Sequence, residues 1–480
     1  MDYRQWARRF SQIGAALTEA RSLDELLETI LRELRDLTSS DAGSIYRVIV
    51  VDGEEKLQFE NAQNDTIELP DQRFTLEIDR TSLAGYSAYE AESLNIEDVY
   101  EIDSELPYSF SSGFDDETGY QTRSMLVVPL NNRHGEVKGI LQLINRKQDF
   151  SKSIFDTEIL PFDEELQQAV VSLASQAAVA MERAELEDSV ERMLESMVQT
   201  LVTALDRRDE ITTGHSQRLT QYAMKLIKKV DAIEEGAYSA VSVEEWEQNL
   251  LYYSGLLHDI GKIAVPEDVL NKENRLTDDR IEAIQNRFAY IEASGQGKNT
   301  SEIMETIREI NESGYLEPKK KEFLKNLREQ QYEDLHGHHK PWLNEEEYHH
   351  LSIEKGNLTV PERKKIQHHA HATYEILKGI EWTEDLKRVP RLASMHHEKL
   401  DGSGYPRGLE SEEIPLLARV LCVVDIYEAL TARDRPYKPA MDPETAREIL
   451  EEEAENGHLD PELVDLFFGE EIHLSLDQAH

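Results

Sequence analysis

The N-terminal third of the chain combines one amphipathic helix with two pairs of apolar strands. Residues 23–38, LDELLETILRELRDLT, place Leu and Ile at helical spacing with charged residues between them. SIYRVIV (44–50) and KLQFENA (56–62) flank an Asp52-Gly53 turn, and SMLVVPL (124–130) and VKGILQLINR (137–146) flank a second polar turn. These pairs predict two β-hairpins. We therefore expect an N-terminal α+β domain over residues 1–165.

From Phe162 to about residue 207 the pattern is continuously helical, with no internal Gly or Pro. Apolar residues recur along one side at steps of mostly three or four: Leu166, Val170, Leu173, Ala177, Ala180, Ala184, Val190, Leu194, Met197 and Leu201. The length favours a connecting helix over 166–207 that pairs with a second copy, as in a coiled coil, and so makes a homodimer. The alternative is a helix that faces the core of its own domain.

The remainder, 208–480, is predicted to be an all-α domain with short loops. Within this domain, residues 280–357 differ in composition: they predict long charged helices and include a basic run at Lys319, Lys320 and Lys321. Five histidines lie there: His336, His338, His339, His349 and His350. We interpret 280–357 as a helical insertion whose histidines lie in solvated loops. The alternative is that its histidines bind metal.

Charge and cysteine content exclude several classes of function. The 96 acidic and 52 basic residues give a formal net charge of −44, so the chain is a poor general binder of DNA or anionic membranes. A phosphate ligand would need a local basic pocket. Cys422 is the only cysteine, which rules out a disulfide framework, a zinc ribbon and an iron–sulfur cluster. Apolar runs of about 20 residues and a signal-peptide core are both lacking, and we expect a cytoplasmic protein without membrane insertion.

The strongest chemical signal is His258-Asp259-Ile260-Gly261-Lys262, which follows the apolar run LLYYSGLL. An adjacent His and Asp can bind metal together, with the imidazole on one ion and the carboxylate bridging to a second. Nitrogen and oxygen ligands of this kind suit iron or manganese. Gly261 allows the backbone to turn, and Lys262 brings a cation close to the metal position.

Further candidate ligands lie at His215, in the cluster His368, His369 and His371, at the pair His396-His397, and at Asp425 on an otherwise apolar helix. Each one alone is explained by a buried histidine bonded to the backbone or by a satisfied core carboxylate. Burying all of them in one helical domain would be costly unless a cation gathered them. Together they indicate a metal site.

These residues give the C-terminal half a specific family resemblance. HDIGK (258–262), HHEKLDGSGYPRGL (396–409), ARVLCVVDIYEALTARDRPYK (418–438) and LDPELVD (459–465) resemble the motifs of the HD-GYP domain, whose namesake triplet is Gly404-Tyr405-Pro406 here. The resemblance implies a phosphodiesterase that hydrolyses cyclic di-GMP to linear pGpG, with further cleavage to GMP left open. The metal ligands it implies are His215, His258, Asp259, His369, His396, His397 and Asp425, with His368 as the alternative to His369.

The resemblance also implies how the site works. Two divalent ions, iron or manganese, would share the Asp259 carboxylate and a bridging water, which becomes the nucleophile. Asp259 and Lys262 are the implied catalytic residues, and Lys262, Arg435, Lys438, Gly404 and Tyr405 the implied substrate contacts. Two alternatives stay open: a catalytically degenerate module that docks partners such as a diguanylate cyclase through the GYP loop, or a hydrolase of another cyclic dinucleotide.

The chain departs from the family pattern at two places. The interval from Asp259 to the next histidine ligand is unusually long and contains the insertion. Family members that hold a third ion have a Glu four residues before the first histidine, where this chain has Ile211. Asp209 and Glu210 are near, but on a helical turn they would point away from the Ile211 direction. We therefore expect two ions rather than three.

The front of the chain resembles a GAF sensor domain through GSIYRV (43–48), SLAGYSAYEAESLNIEDVY (82–100), SMLVVPL and GILQLINRK. Asn145-Arg146-Lys147 followed by Phe162-Asp163-Glu164 is similar to the signature of GAF domains that bind cyclic nucleotides. This implies a small ligand contacted by Asn145, Lys147 and Asp163, whose binding would regulate the second domain. The alternative is that Asn145 caps a strand end and Asp163 caps the long helix. Without a cysteine in this region, a thioether-linked bilin is excluded.

Overall fold

The structure is a computed structural model that describes residues 23–69, 74–209, 214–432 and 440–474. The chain divides into two compact units, residues 1–194 and 195–480, and each is described by itself. In the part of the chain that the structure describes, no helix has the length and apolarity needed to cross a bilayer.

In its described residues, 23–69 and 74–194, the first unit contains an antiparallel sheet and four helices. Its strands are β1 (Ser40–Val51), β2 (Glu54–Asn64), β3 (Thr75–Glu77), β4 (Leu94–Ile96), β5 (Met125–Asn131), β6 (Val137–Lys147) and β7 (Ile159–Leu160). Its helices are α1 (Leu23–Thr38), α2 (Leu83–Glu90), α3 (Gly113–Thr118) and the first part of α4 (Glu164–Asp206), with a 3-10 turn at Val99–Glu101. The predicted helix, both hairpins and the α+β class are confirmed.

The strands lie in the order β3-β2-β1-β6-β5-β4, and β7 pairs with β6. Strands β1 and β6 are not consecutive in the chain, but they pair at the centre of the sheet, where Ile45 lies opposite Leu141. Since side chains alternate across a strand, each face of the sheet carries its own apolar set. Ile45 and Leu141 pack with α1 and α4 on one face, whereas Tyr46 and Ile140 pack with α2 on the other.

Helix α4 buries apolar residues in one part and exposes them in another, and pairing with a second copy stays a prediction. Val170, Leu173, Ala177 and Met181 are buried in the first unit's core. Further along, Leu186 is exposed, and so are Val190 and Met193. The core-facing interpretation therefore describes the first half of the helix, and the unpartnered apolar residues begin at Leu186.

The second unit is predominantly helical, as predicted. Its helices after α4 are α5 (His215–Ala232), α6 (Glu245–Leu257), α7 (Glu267–Leu270), α8 (Asp278–Ala293), α9 (Thr300–Glu312), α10 (Pro318–Glu329), α11 (Glu345–Leu351), α12 (Val360–Leu377), α13 (Val389–Ala393), α14 (Leu416–Thr431), α15 (Pro443–Glu455) and α16 (Pro461–Gly469). The described residues of this unit also form 3-10 turns at Ile260–Ala264, Ser411–Glu413 and Ile472–Leu474. The two-stranded sheet of β8 (Gln331–Glu333) and β9 (His339–Pro341) is an exception to the all-α expectation.

The segment 280–357 is largely helical, as predicted, and His336, His338 and His339 are exposed. It also folds around its own apolar core, which the sequence analysis did not predict. Helices α8 to α11 and the β8–β9 hairpin bury a contiguous set that includes Ile284, Phe288, Ile307 and Trp342. Apolar residues at helical steps hold this core, and the charged residues between them occupy the outer faces. The high charge of the segment reflects a small folded subdomain with an exposed outer surface.

Candidate metal centre

The end of α6 delivers the first two candidate ligands into the interior. His258 is fully buried and Asp259 is 5% exposed, because the preceding residues Leu256 and Leu257 anchor the helix in the core. The 3-10 turn Ile260–Ala264 follows and packs against α12. A Cβ on Gly261 would lie 1.9 Å from the carbonyl oxygen of His369, so only glycine permits this approach. That approach brings α12 and its histidines against Asp259.

Asp259 lies between two groups of histidines and presents one carboxylate oxygen to each. Its Oδ2 is 3.3 Å from His258 Nε2 and 4.0 Å from His215 Nε2. Its Oδ1 is 3.3 Å from His369 Nε2 and 3.9 Å from His396 Nε2. A carboxylate with ligand nitrogens on both sides has the geometry of a bridge between two cations.

Asp425, from the middle of α14, closes the site on a second side. Its Oδ1 is 3.2 Å from His215 Nε2 and 3.9 Å from His258 Nε2. Its other oxygen, Oδ2, is 3.6 Å from His397 Nδ1. The donors thus separate into one group of His215, His258, Asp259 and Asp425, and another of His369, His396, His397 and Asp259.

Backbone carbonyls fix the orientation of three of the imidazoles. The Nδ1 atoms of His258, His369 and His396 lie 2.7, 2.6 and 2.7 Å from the carbonyl oxygens of Gly255, Ile366 and Ala393. In the neutral imidazole, each Nδ1–H therefore donates a hydrogen bond to a carbonyl oxygen, and Nε2 is the nitrogen that carries the free lone pair. His369 Nε2 and His396 Nε2 are only 3.1 Å apart, so two lone pairs converge on one position. Such a donor set fits a divalent cation of the iron or manganese type.

The fourth imidazole, His215, is oriented by a carboxylate that the sequence analysis missed. His215 Nδ1 hydrogen-bonds Glu428 Oε2, and Glu428 in turn accepts from Arg218 Nε at 2.6 Å. Glu428 is 2% exposed. Its position was detectable, because Glu428 lies three residues after Asp425 and so shares its face of the helix.

Electrostatics keep these side chains in or near the forms that bind metal. Burial lowers the pKa of His397 to about 4 and holds the pKa of His396 well below its ordinary value. Burial opposes ionisation of Asp259, but Lys262 and His258 outweigh it and hold the carboxyl pKa well below its usual range. His215 differs: burial lowers its pKa, yet hydrogen bonds to Asp425 and Glu428 raise it to about 9. A cation must therefore displace a proton from His215.

Lys262 adds a buried positive charge beside the bridge. Its Nζ is 2.8 Å from Asp259 Oδ2 and 2.9 Å from Asp209 Oδ2. Burial lowers the lysine pKa, but the two carboxylates raise it above its ordinary value. The sequence analysis treated Asp209 as part of a helical turn, whereas α4 ends at Asp206. Beyond the helix, the buried Asp209 side chain reaches the edge of the site.

The GYP loop forms one wall of the centre. The Tyr405 ring centroid is 4.7 Å from that of His397 and 6.4 Å from that of His369. Glu398, also missed from the sequence, holds the loop by accepting from the backbone N–H groups of Arg407 at 2.8 Å and Leu409 at 3.0 Å. A Cβ on Gly404 would lie 2.3 Å from the backbone nitrogen of Lys399, so this residue must be glycine for the loop to close.

Other candidates are placed away from the centre or cannot be described. His368 and His371 are exposed on α12, whereas His369 is buried in the centre, which favours His369 as the ligand. Within the described ranges, the groups of three or more His, Cys, Asp or Glu side chains with metal-ligand spacing are His215, His258, Asp259 and His369, His396, His397. The insertion histidines form no such group there. Ile211, Arg435 and Lys438 lie outside the described residues.

The candidate ligand contacts of the first unit are engaged within the domain. Asn145 is buried, and its side chain accepts from Arg123 N at 2.7 Å and donates to Gln121 O at 2.8 Å. Lys147 Nζ pairs with buried Asp41 Oδ1 at 2.9 Å. Asp163 Oδ1 accepts from Leu166 N at 2.9 Å at the start of α4. These contacts support the capping interpretation for Asn145 and Asp163, and ligand binding by the three residues stays a prediction.

The family comparisons assign both units. Residues 22–181 match the model of the GAF domain, and residues 212–336 and 346–463 match two models that are both described as HD domain. A solved GAF domain, from an Acinetobacter phosphoenolpyruvate-protein phosphotransferase, aligns with 39% of this chain and 97% of its own at 18% identity and a TM-score of 0.30. The chain thus consists of a GAF domain followed by an HD domain, a family of metal-dependent hydrolases.

Two curated relatives from Vibrio cholerae narrow the assignment. One, named 3'3'-cGAMP-specific phosphodiesterase 3, is 42% identical over 107 residues, which is 22% of either chain. The other, named probable cyclic di-GMP phosphodiesterase, is 25% identical over 284 residues, which cover 59% of this chain and 45% of the relative. The chain spans less than half the length of both relatives. The family matches and these relatives support the predicted combination of an HD-GYP domain with an N-terminal GAF domain.

Proposed function

We propose that the chain is a metal-dependent phosphodiesterase that opens cyclic di-GMP. The observation that carries this proposal is the position of Asp259, whose two carboxylate oxygens each lie 3.3 Å from a histidine Nε2 of a different donor group. That arrangement supports a binuclear centre. When bound, two divalent cations supply Lewis acidity toward a phosphate and lower the pKa of a water to near neutrality. Iron or manganese suits the mixed nitrogen and oxygen donors.

The side chains around the centre define the roles that the protein plays in the reaction. Asp259 and Asp425 hold the two donor groups together and contribute negative charge. Lys262, 13% exposed at its side chain, is placed to contact a phosphate oxygen and to offset charge that develops there. Tyr405 and Gly404 bound the site on the side of the GYP loop. Arg435 and Lys438 are proposed phosphate contacts on the basis of the RPYK motif alone.

The choice of cyclic di-GMP rests on the relatives. The probable cyclic di-GMP phosphodiesterase aligns over 59% of this chain, whereas the 3'3'-cGAMP enzyme aligns over 22% at higher identity. Cleavage of 3'3'-cGAMP is therefore the second candidate activity. Both substrates offer the same two phosphodiesters to the centre, so they differ only in the base that the pocket must accept.

A panel of substrates separates the two candidates. Protein loaded with Mn²⁺ or Fe²⁺ under anaerobic conditions would be incubated with cyclic di-GMP, 3'3'-cGAMP and cyclic di-AMP, and the products resolved by chromatography. We expect cyclic di-GMP to be cut to linear pGpG with the highest kcat/KM. A higher kcat/KM for 3'3'-cGAMP would assign the second activity, and metal-loaded protein that cuts none of the three would support a degenerate docking module.

Regulation and assembly complete the proposal. The GAF domain binds a small ligand, which adjusts turnover at the metal centre, and the exposed apolar residues of α4 pair two copies into a homodimer. The exposed loop around the GYP triplet is the surface offered to a diguanylate cyclase partner. Thermal shift of the intact chain with cyclic nucleotides tests the first idea, and light scattering of the intact chain tests the second.

A further inference from the structure

A cavity of the HD domain is lined by residues with no role in the proposed reaction. Its volume is about 480 Å³, within the range of about 300–1,000 Å³ that is typical of sites for small organic ligands. The walls come from α6, α13 and the start of α14. Its lining includes the buried apolar residues Val243, Leu250, Leu392, Met395 and Leu417. The cavity thus has an apolar floor, and a ligand that buried this floor would gain binding free energy from the hydrophobic effect.

Two arginines with free hydrogen-bonding capacity lie at the rim of this cavity. Arg388 and Arg391 both line it and are exposed. Neither guanidinium makes an ion pair with any residue in the described ranges, although acidic residues outnumber basic ones almost two to one in this chain. Arg388 lies over the ring of Trp246, with 5.8 Å between the guanidinium carbon and the ring centroid. The rim therefore carries donors that lack an anionic partner.

Two glutamates also line the cavity, but their carboxylates already have partners. Glu247 Oε2 accepts from the backbone N–H of Glu244 at 3.1 Å, and Glu413 Oε2 accepts from the backbone N–H of Glu410 at 3.2 Å. The cavity further lies at the N-terminal end of α14, where the helix dipole favours negative charge. Each glutamate thus has a hydrogen-bond donor for one carboxylate oxygen, whereas neither arginine has an ion-pair partner in the described ranges, and the floor is apolar.

We propose that this cavity is a binding site for a small amphipathic organic anion, with its carboxylate between Arg388 and Arg391 and its apolar body against Leu392, Met395 and Leu417. Met395 immediately precedes the candidate ligand His396, so an occupant would contact the segment that positions that histidine. The site is distinct from the phosphodiester site, and its occupancy can be measured without turnover.

Octanoate is a suitable probe, because it combines one carboxylate with a flexible apolar chain. Trp246 lines the cavity, so titration of the intact chain with octanoate should change its indole fluorescence, and Trp246→Phe should remove that change. Octylammonium, with the same chain and the opposite charge, is the matched control ligand. Calorimetric titration gives the affinity independently of the fluorophore. We expect octanoate to bind at least tenfold more tightly than octylammonium.

Two variants test separately how the arginines at the rim and the apolar lining contribute to octanoate binding. The double variant Arg388→Gln/Arg391→Gln should weaken octanoate binding at least tenfold, because charge-assisted hydrogen bonds are lost. Leu416→Glu, which places a carboxylate in the lining, should weaken it similarly. Arg280→Gln/Arg328→Gln removes two exposed arginines of the insertion and should leave binding unchanged. Equal affinity for both probes, or unchanged binding in the Arg388/Arg391 variant, would overturn the proposal, as would the absence of octanoate binding.

Discussion

His215 Nδ1 is hydrogen-bonded to Glu428, and the same Glu428 carboxylate accepts from Arg218 Nε at 2.6 Å. This chain of contacts aims His215 Nε2 at Asp425 and His258. A carboxylate behind a metal-binding histidine fixes the ring and raises its basicity, and losing it lowers metal affinity about 10–100-fold in other proteins. Glu428 therefore belongs to the centre, although it is not a ligand.

Glu428→Gln should weaken metal binding by about 10–100-fold while leaving the ligand set intact. The amide preserves shape but loses the charge that holds a proton on His215 Nδ1. Competition with a chelator, followed by metal analysis, measures the affinity. Glu448→Gln removes one carboxylate from an exposed position on α15 and serves as the control. An unchanged affinity in the Glu428 variant would show that backbone packing alone orients His215.

Lys262→Met should retain the metal ions but lower kcat and raise KM, because the ammonium is placed to contact a phosphate rather than a cation. Loss of one preorganised electrostatic contact typically costs about 10²–10³-fold in rate. Asp209→Asn, which removes a charge from the partner of Lys262, should give a smaller change in the same direction. Steady-state kinetics at full metal loading provide both values. If Lys262→Met left kcat and KM unchanged, the lysine would have only a structural role.

Trp342→Ala should destabilise the insertion selectively. The indole is 4% exposed and its centroid lies 5.5 Å from that of Phe288. Truncating a buried Trp to Ala costs about 3–5 kcal/mol, which is a large part of the stability of so small a core. Hydrogen exchange should then show lost protection in α8 to α11 with bound metal retained. His338→Ala, at an exposed position of the hairpin, is the control. Equal protection in both variants would contradict an independent core.

The dimer prediction can be tested on residues of α4 that the structure shows to be exposed. Leu186 and Met193 are 61% and 59% exposed and lie seven residues apart, which is one heptad. Leu186→Asp/Met193→Asp should shift the intact chain toward monomer in light scattering, and Ser189→Asp, elsewhere on the helix, should not. Leu173 is unsuitable for this test, because it is buried in the GAF core. A monomeric wild-type chain would contradict the dimer.

Metal analysis of saturated protein should return about two ions per chain. The seven candidate ligands form two donor groups around Asp259, and Asp209, the additional carboxylate near the site, is held by Lys262. A reproducible third ion would contradict this expectation. Its loss in Asp209→Asn, with the other two ions retained, would then identify Asp209 as the extra ligand.

How far the sequence predicted the centre depended on the kind of residue. His258, Asp259, His396 and His397 were located by motif. The family resemblance favoured His369 over His368, which agrees with the burial of His369 beside His396. Glu428 and Glu398 were missed because an acidic residue in a helical or loop sequence is usually solvated, and only tertiary contacts reveal its partner. The contact of Asp209 with Lys262 was not predicted, because the helical geometry assumed for Asp209 does not continue beyond Asp206.

The apolar core of the insertion was missed for a related reason. Its charged residues dominate the composition, whereas its apolar residues are spread over four helices and a hairpin and meet only in three dimensions. Phe288 and Trp342 are 54 positions apart in the chain and yet share one core. By contrast, the GAF hairpins were predicted correctly because their strands are adjacent in sequence and joined by tight turns.

Hydrolysis of cyclic di-GMP measured as a function of bound metal tests the bridging role of Asp259 most directly. Metal-free protein would be titrated anaerobically with Mn²⁺, and turnover to linear pGpG followed together with the number of ions bound per chain. We expect turnover to rise only as the second ion binds, and Asp259→Asn to bind fewer ions and to lose turnover at least 10²-fold. Full turnover at one ion per chain, or near-normal turnover in Asp259→Asn, would contradict a binuclear centre bridged by this carboxylate.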